Sequence, residues 1–144
     1  MNEDSVIWDN SFSVGFDPID AQHKELVKMT NELFQGCKEG GPGACIALEQ
    51  TIGKALEYAQ THFYTEEKYM KETNYPNLVP HKKEHEDFVA QVRKTLEEFE
   101  HGEAEPIILA RFLKKWLLNH IALVDKQCAP YFAKLQGKGT AHYL

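Results

Sequence analysis

The sequence predicts an all-α fold, an antiparallel up-down-up-down four-helix bundle with an extended N-terminal arm. Four stretches of the chain repeat apolar residues every three to four positions, which is the spacing of one buried helix face. Glycine and proline clusters separate these stretches, and the short connections favour neighbouring antiparallel helices. The 144 residues are enough for one domain with its own core.

The first half of the chain predicts the arm and two helices. Residues 1–18 contain Gly15 and Pro18 and show no helical period, so we interpret them as the arm. The first helix is predicted over residues 20–38, because the glycines and proline of residues 40–43 end the apolar pattern. The second is predicted over residues 44–72 and is broken by the sequence TNYPNLVP.

The second half predicts two further helices and a tail. Pro80 and Pro106 each suit the first turn of a helix, where the missing N–H is harmless, and Gly102 separates the two helices. We interpret Pro130 as a break that is followed by at most a short helical turn. The predicted organisation is an arm at 1–18, a bundle at 19–128, and a short C-terminal helical turn and tail at 129–144.

Composition excludes several functions. The net charge of -6 leaves no basic face for nucleic acid or an anionic membrane, and no apolar run reaches the roughly 20 residues that cross a bilayer. The segment MNEDSVIWDN lacks the form of a secretion signal. Cys37, Cys45 and Cys128 make neither an even set nor a CxxC pair, so they indicate thiols in a reducing compartment. We therefore expect a cytoplasmic protein and, from the short loops and negative charge, a monomer.

Five of the seven histidines fall on the predicted apolar stripes, which is the observation that points to chemistry. A lone histidine on such a stripe is most simply a core residue whose nitrogens are hydrogen-bonded. Five such residues on four helices are hard to satisfy by hydrogen bonds alone, whereas a metal accepts one nitrogen from each. These histidines are His23, His62, His81, His85 and His120.

Carboxylates complete the predicted metal-ligand set. His62 and Glu66 are four residues apart, as are His81 and His85, so each pair shares one helix face. Glu66 lies on an apolar stripe, where an unpaired carboxylate is costly to bury. His120 and Asp125 are five residues apart, so they share one site only if the helix is locally widened, as in a π-type turn, or if they bind at different heights.

This ligand set favours two metal ions with one vacancy. If both carboxylates and an oxide or hydroxide bridge two octahedral ions, the side chains and this bridging group together fill all but one of the coordination positions. Nitrogen-rich ligation without thiolate suits iron, copper or zinc. Bridging carboxylates in a bundle core favour a pair of irons, while copper stays open.

At these residues the chain resembles the hemerythrin family, and most of all its single-domain bacterial members. The resemblance covers about residues 6 to 135 and includes all the predicted ligand positions in order. The opening VIWDNSFSVGFDPID is also similar to the arm of that family. The matching sequences are IDAQHKEL, HFYTEE, HKKEH and WLLNHIALVD.

The resemblance implies two Fe ions, cycling between Fe2+ and Fe3+, with a bridging oxo or hydroxo group. His81, His85 and His120 would bind one iron, His23 and His62 would bind the other, and Glu66 and Asp125 would bridge. The iron with two histidines would carry the open position and take O2 as ligand. Apolar side chains near the ligands are candidates for the O2 pocket. These candidates are Phe63, Trp116, Leu117, Ile121 and Val124.

Other polar residues near the ligands receive smaller roles. Tyr64, Glu67 and Tyr69 are candidates for accepting a hydrogen bond from a ligating histidine. We expect no metal ligation by His101, at a predicted helix end, or by His142, in the tail.

The predicted function is reversible O2 binding for transport, storage or delivery, with an oxygen-consuming enzyme as a candidate partner. The alternatives are an O2 or redox sensor module, a di-iron enzyme acting on peroxide or nitric oxide, and structural metal storage. The stripes carry no acid or base beyond the ligands, which argues against an enzyme, and the open position disfavours storage.

Overall fold

The computed structural model describes residues 5–135, and the regular secondary structure within them is entirely helical. Helix α1 spans Asp17–Glu39 and helix α3 spans Leu78–Glu100. Helix α2, over residues 41–72, lies beside α1 and also contacts α3. Helix α4, over residues 106–128, closes the bundle against α1 and α2. The predicted four-helix bundle is confirmed. No helix in the described range is long and apolar enough to cross a membrane.

Helices α2 and α4 are each widened by a π-helical segment. Helix α2 covers residues 41–72 and consists of Gly41–Tyr58, a π-helical Ala59–Phe63 and Tyr64–Glu72. Helix α4 covers residues 106–128 and consists of Pro106–Trp116, a π-helical Leu117–Val124 and a 3-10 turn at Asp125–Cys128. Both π segments contain or adjoin predicted ligands, as π turns often do at functional sites.

Two helices begin earlier than predicted, and the cause is the same in both. Pro18 and Pro42 occupy the first turns of α1 and α2, where proline needs no N–H partner and its fixed φ suits the helix. The arm therefore ends before residue 17, and the predicted loop at residues 40–43 shrinks to Gly40. This glycine has φ 70°, a left-handed conformation that favours glycine.

The expected break at Pro130 is wrong. Residues 129–135 are helical and follow the 3-10 turn directly, so Pro130 again lies in the first turn of an α-helical segment. The predicted tail beyond residue 135, together with His142, lies outside the described residues.

The arm is fastened to α1 by two sets of hydrogen bonds. The Val6 N–H donates to the Asn31 side chain at 2.7 Å, and the Asn31 amide donates back to the Val6 carbonyl at 2.7 Å. Nearer the helix, the Ser13 hydroxyl and the Val14 N–H both donate to the Asp20 carboxylate. These contacts hold Phe12 and Phe16 against the bundle, where both are buried.

The apolar core forms two clusters along the bundle axis. The larger cluster includes Leu33, Phe88 and Leu113, and the smaller includes Ile19 and Phe132. Most other buried side chains in the described chain are apolar. Apart from three threonines, the buried polar residues there are those of the predicted metal site.

The crossing of α1 and α2 is close at Gly36, which leads to a stability prediction. A Cβ at Gly36 would lie 2.4 Å from the Ala47 Cβ, so Gly36→Ala forces the helices apart. We expect a loss of about 1–3 kcal/mol in the free energy of unfolding. Gly53, in the middle of α2, has open space at its Cβ position. Gly53→Ala should therefore stabilise the protein by about 0.5–1 kcal/mol. Urea denaturation of both variants checks the pair, and equal effects would contradict the close crossing.

Candidate metal centre

The structure brings all seven predicted ligands together in the bundle interior. Helix α1 supplies one of them, and each other helix supplies two. Every one is at most 3% exposed. The residues are His23 from α1, His62 and Glu66 from α2, His81 and His85 from α3, and His120 and Asp125 from α4.

The cluster divides into two halves that share both carboxylates. One half contains His81, His85 and His120, and the other contains His23 and His62. Glu66 Oε1 lies 2.8 Å from His81 Nε2 and 3.0 Å from His85 Nε2, while its Oε2 lies 3.2 Å from His62 Nε2. Each oxygen of Glu66 therefore faces a different half.

Asp125 repeats this division. Its Oδ1 lies 2.8 Å from His81 Nε2 and 3.1 Å from His120 Nε2, and its Oδ2 lies 3.2 Å from His23 Nε2. Within residues 5–135 neither oxygen has a hydrogen-bond partner, although both are buried.

These distances fit two metal ions. Neighbouring ligand atoms on an octahedral ion with bonds of ~2.1 Å are about 3.0 Å apart. The Nε2 atoms of His23 and His62 are 3.1 Å apart. Nitrogen and oxygen atoms spaced in this way, buried and partly without hydrogen bonds, are what a metal centre requires. The donor set consists of imidazoles and carboxylates without a thiolate, a composition that suits iron, copper or zinc.

A widened helix brings His120 and Asp125 into one site. The π-helical segment Leu117–Val124 contains His120 and ends directly before Asp125. With about one extra residue in the turn, side chains five residues apart face the same direction. Of the two geometries left open by the sequence, the structure has the π turn.

Three histidines of the cluster are oriented by polar residues on the preceding helix. His62 Nδ1 donates to Gln22, His85 Nδ1 donates to Glu67, and His120 Nδ1 donates to Glu84, each at 2.7 Å. Because the proton lies on Nδ1, the lone pair of Nε2 faces the cluster. Glu67 was among the predicted partners, and Gln22 and Glu84 were missed.

A sequence signal for these partners exists. Each one directly adjoins a predicted ligand, as Gln22 adjoins His23, Glu67 adjoins Glu66 and Glu84 adjoins His85. Its side chain lies about 100° around the helix from that ligand, so it reaches the histidine of the next helix.

The carboxylates and histidines strongly shift one another's ionisation. Burial raises the pKa of Glu66, but the surrounding histidines, His62 above all, hold it well below its usual range. Burial lowers the pKa of His23, but Asp125 and Glu66 outweigh burial and raise it to about 9. The same balance raises the pKa of His81 to about 12. His62 is the exception, because burial dominates and lowers its pKa.

Aromatic rings cover the half with three histidines. Phe63 stacks on His85 with ring centroids 3.9 Å apart, and Trp116 stacks on His120 at 3.9 Å. Trp116 thus lies beside the three-histidine half, whereas Phe63 also contacts His62 of the other half, with ring centroids 5.8 Å apart. Leu117 and Ile121 are fully buried in the larger core cluster, and Val124 is partly exposed. The assignment of an O2 pocket to these five residues stays a prediction.

Tyr58 is a residue at the site that the sequence reasoning missed. Its ring stacks on His62 with centroids 4.8 Å apart and an interplanar angle of 15°. The side chain is buried, and in the described part of the protein its hydroxyl has no hydrogen-bond partner. Burial, and then the charges of Glu66 and Asp125, raise the pKa of Tyr58 well above its usual value. The signal was its spacing, four residues before His62.

Two of the residues that the sequence analysis gave no role at the site, His101 and Cys45, lie outside the cluster. His101 is exposed at the end of α3, where its Nδ1 donates to the Glu97 carbonyl at 2.8 Å. Cys45 is exposed, whereas Cys128 is buried in the smaller core cluster and lies close enough to His81 to interact with its imidazole; neither cysteine is in a disulfide.

The fold and site define a class of protein, a four-helix bundle with a buried histidine–carboxylate cluster for two metal ions. Comparison with known proteins specifies it further. The model of the hemerythrin HHE cation binding domain matches residues 14–132. The chain belongs to the hemerythrin family.

Relatives and solved structures agree. The chain is 32% identical to a bacteriohemerythrin of Stenotrophomonas maltophilia, over 86% of this chain and 79% of that protein. It is 35% identical to a bacteriohemerythrin of Methylococcus capsulatus, over 82% of this chain and 87% of that protein. A crystal structure of wild-type hemerythrin superposes with a TM-score of 0.76 at 30% identity, over 88% of this chain and 97% of that one.

Proposed function

We propose that this protein binds O2 reversibly at a carboxylate-bridged pair of iron ions. The observation that carries the proposal is the division of Glu66 and Asp125, each with one oxygen toward each half of the cluster. His81, His85 and His120 would hold one iron, and His23 and His62 the other. When bound, the pair of ions would supply two electrons and, on the side with fewer histidines, a coordination position for O2.

The side chains of the chain itself support binding that is reversible. The hydrogen bonds to Gln22, Glu67 and Glu84 fix three histidine rings before any ligand arrives. Phe63 and Trp116, which belong to the larger core cluster, stack on His85 and His120 and cover these two rings.

We propose that the protein binds O2 and does not act as an enzyme. The two acidic side chains nearest the ligands, Glu67 and Glu84, accept hydrogen bonds from ligating histidines and so serve to orient them. We further propose a cytoplasmic monomer that delivers O2 to an oxygen-consuming enzyme, with the thiols suited to a reducing compartment.

Metal analysis and absorption spectroscopy test the proposed function. Protein made with iron available should contain two irons per chain, and the reduced, anaerobic form should develop a new absorption band on exposure to O2. Removal of O2 should restore the starting spectrum, and azide should bind the oxidised form. One metal per chain, zinc alone, or an oxygenated form that never returns would contradict the proposal.

Assays with peroxide and nitric oxide supply the matching control for enzyme activity. Reduced protein should show no sustained turnover of either compound. Turnover faster than oxygenation would assign the site to an enzyme.

A further inference from the structure

A surface cleft between α1 and α2 leads to the two-histidine half of the cluster. It encloses about 430 Å³, and the buried side chains among its lining residues are Met29, Tyr58 and His62. Lys54 and Glu32 lie at its exposed rim as an ion pair 3.4 Å apart. Because both partners are half exposed, this pair is weak and opens readily.

Each half of the cluster has one histidine at a surface depression, and an aromatic ring stacks on each of these histidines. His85 lines a groove between α2 and α3, where Phe63 stacks flat on its ring. His62 lines the α1/α2 cleft, where Tyr58 stacks on its ring. The two approaches differ in chemistry, because Phe63 offers no polar atom whereas Tyr58 carries a hydroxyl.

Tyr58 stands where the cleft meets the cluster. Its side chain is only 8% exposed, yet no described residue accepts a hydrogen bond from its hydroxyl. An unsatisfied buried hydroxyl is costly, so its persistence calls for an acceptor that is not a protein group. The ring stacks on His62, which brings the phenol beside that histidine.

We infer that the α1/α2 cleft is the route by which small ligands reach the two-histidine half, and that the Tyr58 hydroxyl donates the hydrogen bond that holds such a ligand beside His62. The inference rests on the proposed function. The ligand class is a small molecule with an accepting end, either O2 as it gains negative charge or a linear monoanion such as azide.

Two variants at adjacent positions test the route. Thr61 lines the α1/α2 cleft, while Gln60 lines the groove between α2 and α3 above His85, and both are exposed. In stopped-flow measurements on iron-loaded protein, Thr61→Trp should slow azide association severalfold, and Gln60→Trp should leave it unchanged. Equal rates for the two variants would overturn the route.

A phenol deletion tests the donor. Tyr58→Phe should raise the azide dissociation constant by about tenfold to a hundredfold, as expected for a lost hydrogen bond to a charged group. Tyr64, which is 71% exposed, provides the control, and Tyr64→Phe should bind azide like the unaltered protein. An unchanged affinity in Tyr58→Phe would overturn the donor role.

The metal-free protein supplies a readout that does not depend on ligand binding. Because the hydroxyl has no protein partner, metal-free Tyr58→Phe should melt at the same or a higher temperature. A lower melting temperature would show a structural partner for the phenol and overturn the inference. If the unaltered protein binds no iron or no azide, the proposed function fails instead, and the two failures are thereby distinguished.

Discussion

Replacement of Glu66 with glutamine is expected to reduce the bound iron from two ions per chain to one or none and to abolish O2 binding. Glu66 is the residue whose two oxygens approach His62, His81 and His85 at 2.8–3.2 Å. An amide offers one neutral oxygen where the carboxylate offers two charged ones, so it cannot bridge two cations in the same way. Iron analysis by mass spectrometry and the O2-dependent absorption band measure the effect.

The adjacent residue provides a matched control for this experiment. Glu67 is partly exposed and accepts a hydrogen bond from His85 Nδ1. Glu67→Gln should retain both ions and bind them about tenfold to a hundredfold more weakly, as is usual for a lost outer partner. If Glu66→Gln behaves like Glu67→Gln, the bridging role of Glu66 is wrong.

Most of the bundle was predictable because helix periodicity and breakers are local signals. The apolar stripes located all four helices, and the stripe histidines located the cluster. The starts of α1 and α2 were misplaced for a local reason as well. Pro18 and Pro42 were interpreted as breakers, whereas in a first turn they favour the helix.

The parts of the site that the sequence did not predict depend on contacts between helices. Gln22 and Glu84 reach histidines that are 40 and 36 residues away in the chain, and periodicity within one helix carries no information on such pairs. The position of Phe63 beside His85 is of the same kind. The spacing of His120 and Asp125, by contrast, did predict a π turn as one of two options, because five residues do not fit an ordinary helix turn.

The stability of metal-free and iron-loaded protein should depend on pH in opposite directions. In the metal-free protein, His23 has a pKa raised from 6.5 to about 9, and that of His81 is raised further. A histidine whose pKa is raised on folding stabilises the folded protein. For His23 this stabilisation is complete below pH 6.5, the pKa in the unfolded chain, and is lost as the pH rises through about 9, the pKa in the folded protein. His23 alone should contribute about 3 kcal/mol.

The other titrating groups set the limits of this window. The lowered pKa of Glu66 stabilises the fold above its usual value of 4.5 and loses that effect as the pH falls. His62 acts against His23, because its pKa is lowered and its contribution grows with pH. Since the pKa of His85 is also raised, three histidines outweigh one. The metal-free protein should be most stable between about pH 4.5 and 6.5.

Iron reverses this dependence, because ligating histidines must be neutral and protons compete with the metal. The loaded protein should therefore gain stability as the pH rises from about 5 to 8. Urea denaturation across this range, with and without a chelator, measures both slopes. The variant His23→Gln should flatten the slope of the metal-free protein, and His101→Gln, outside the cluster, should not. A metal-free protein that becomes more stable from pH 6.5 to 9 would contradict the shifts of His23 and His81.

The convergence of four helices on one cluster also makes the loaded chain a cross-linked polymer. The metal ions would link all four helices at one point, much as several disulfides meeting at one point would. The linked positions are 23 in α1, 62 and 66 in α2, 81 and 85 in α3, and 120 and 125 in α4. Each tie removes conformations from the unfolded chain, and the longest closed loop contributes the most. While the metal ions stay bound, local unfolding should be restricted to the chain ends and the loops. Resistance to proteolysis should therefore be gained when the ions bind and lost when they are removed.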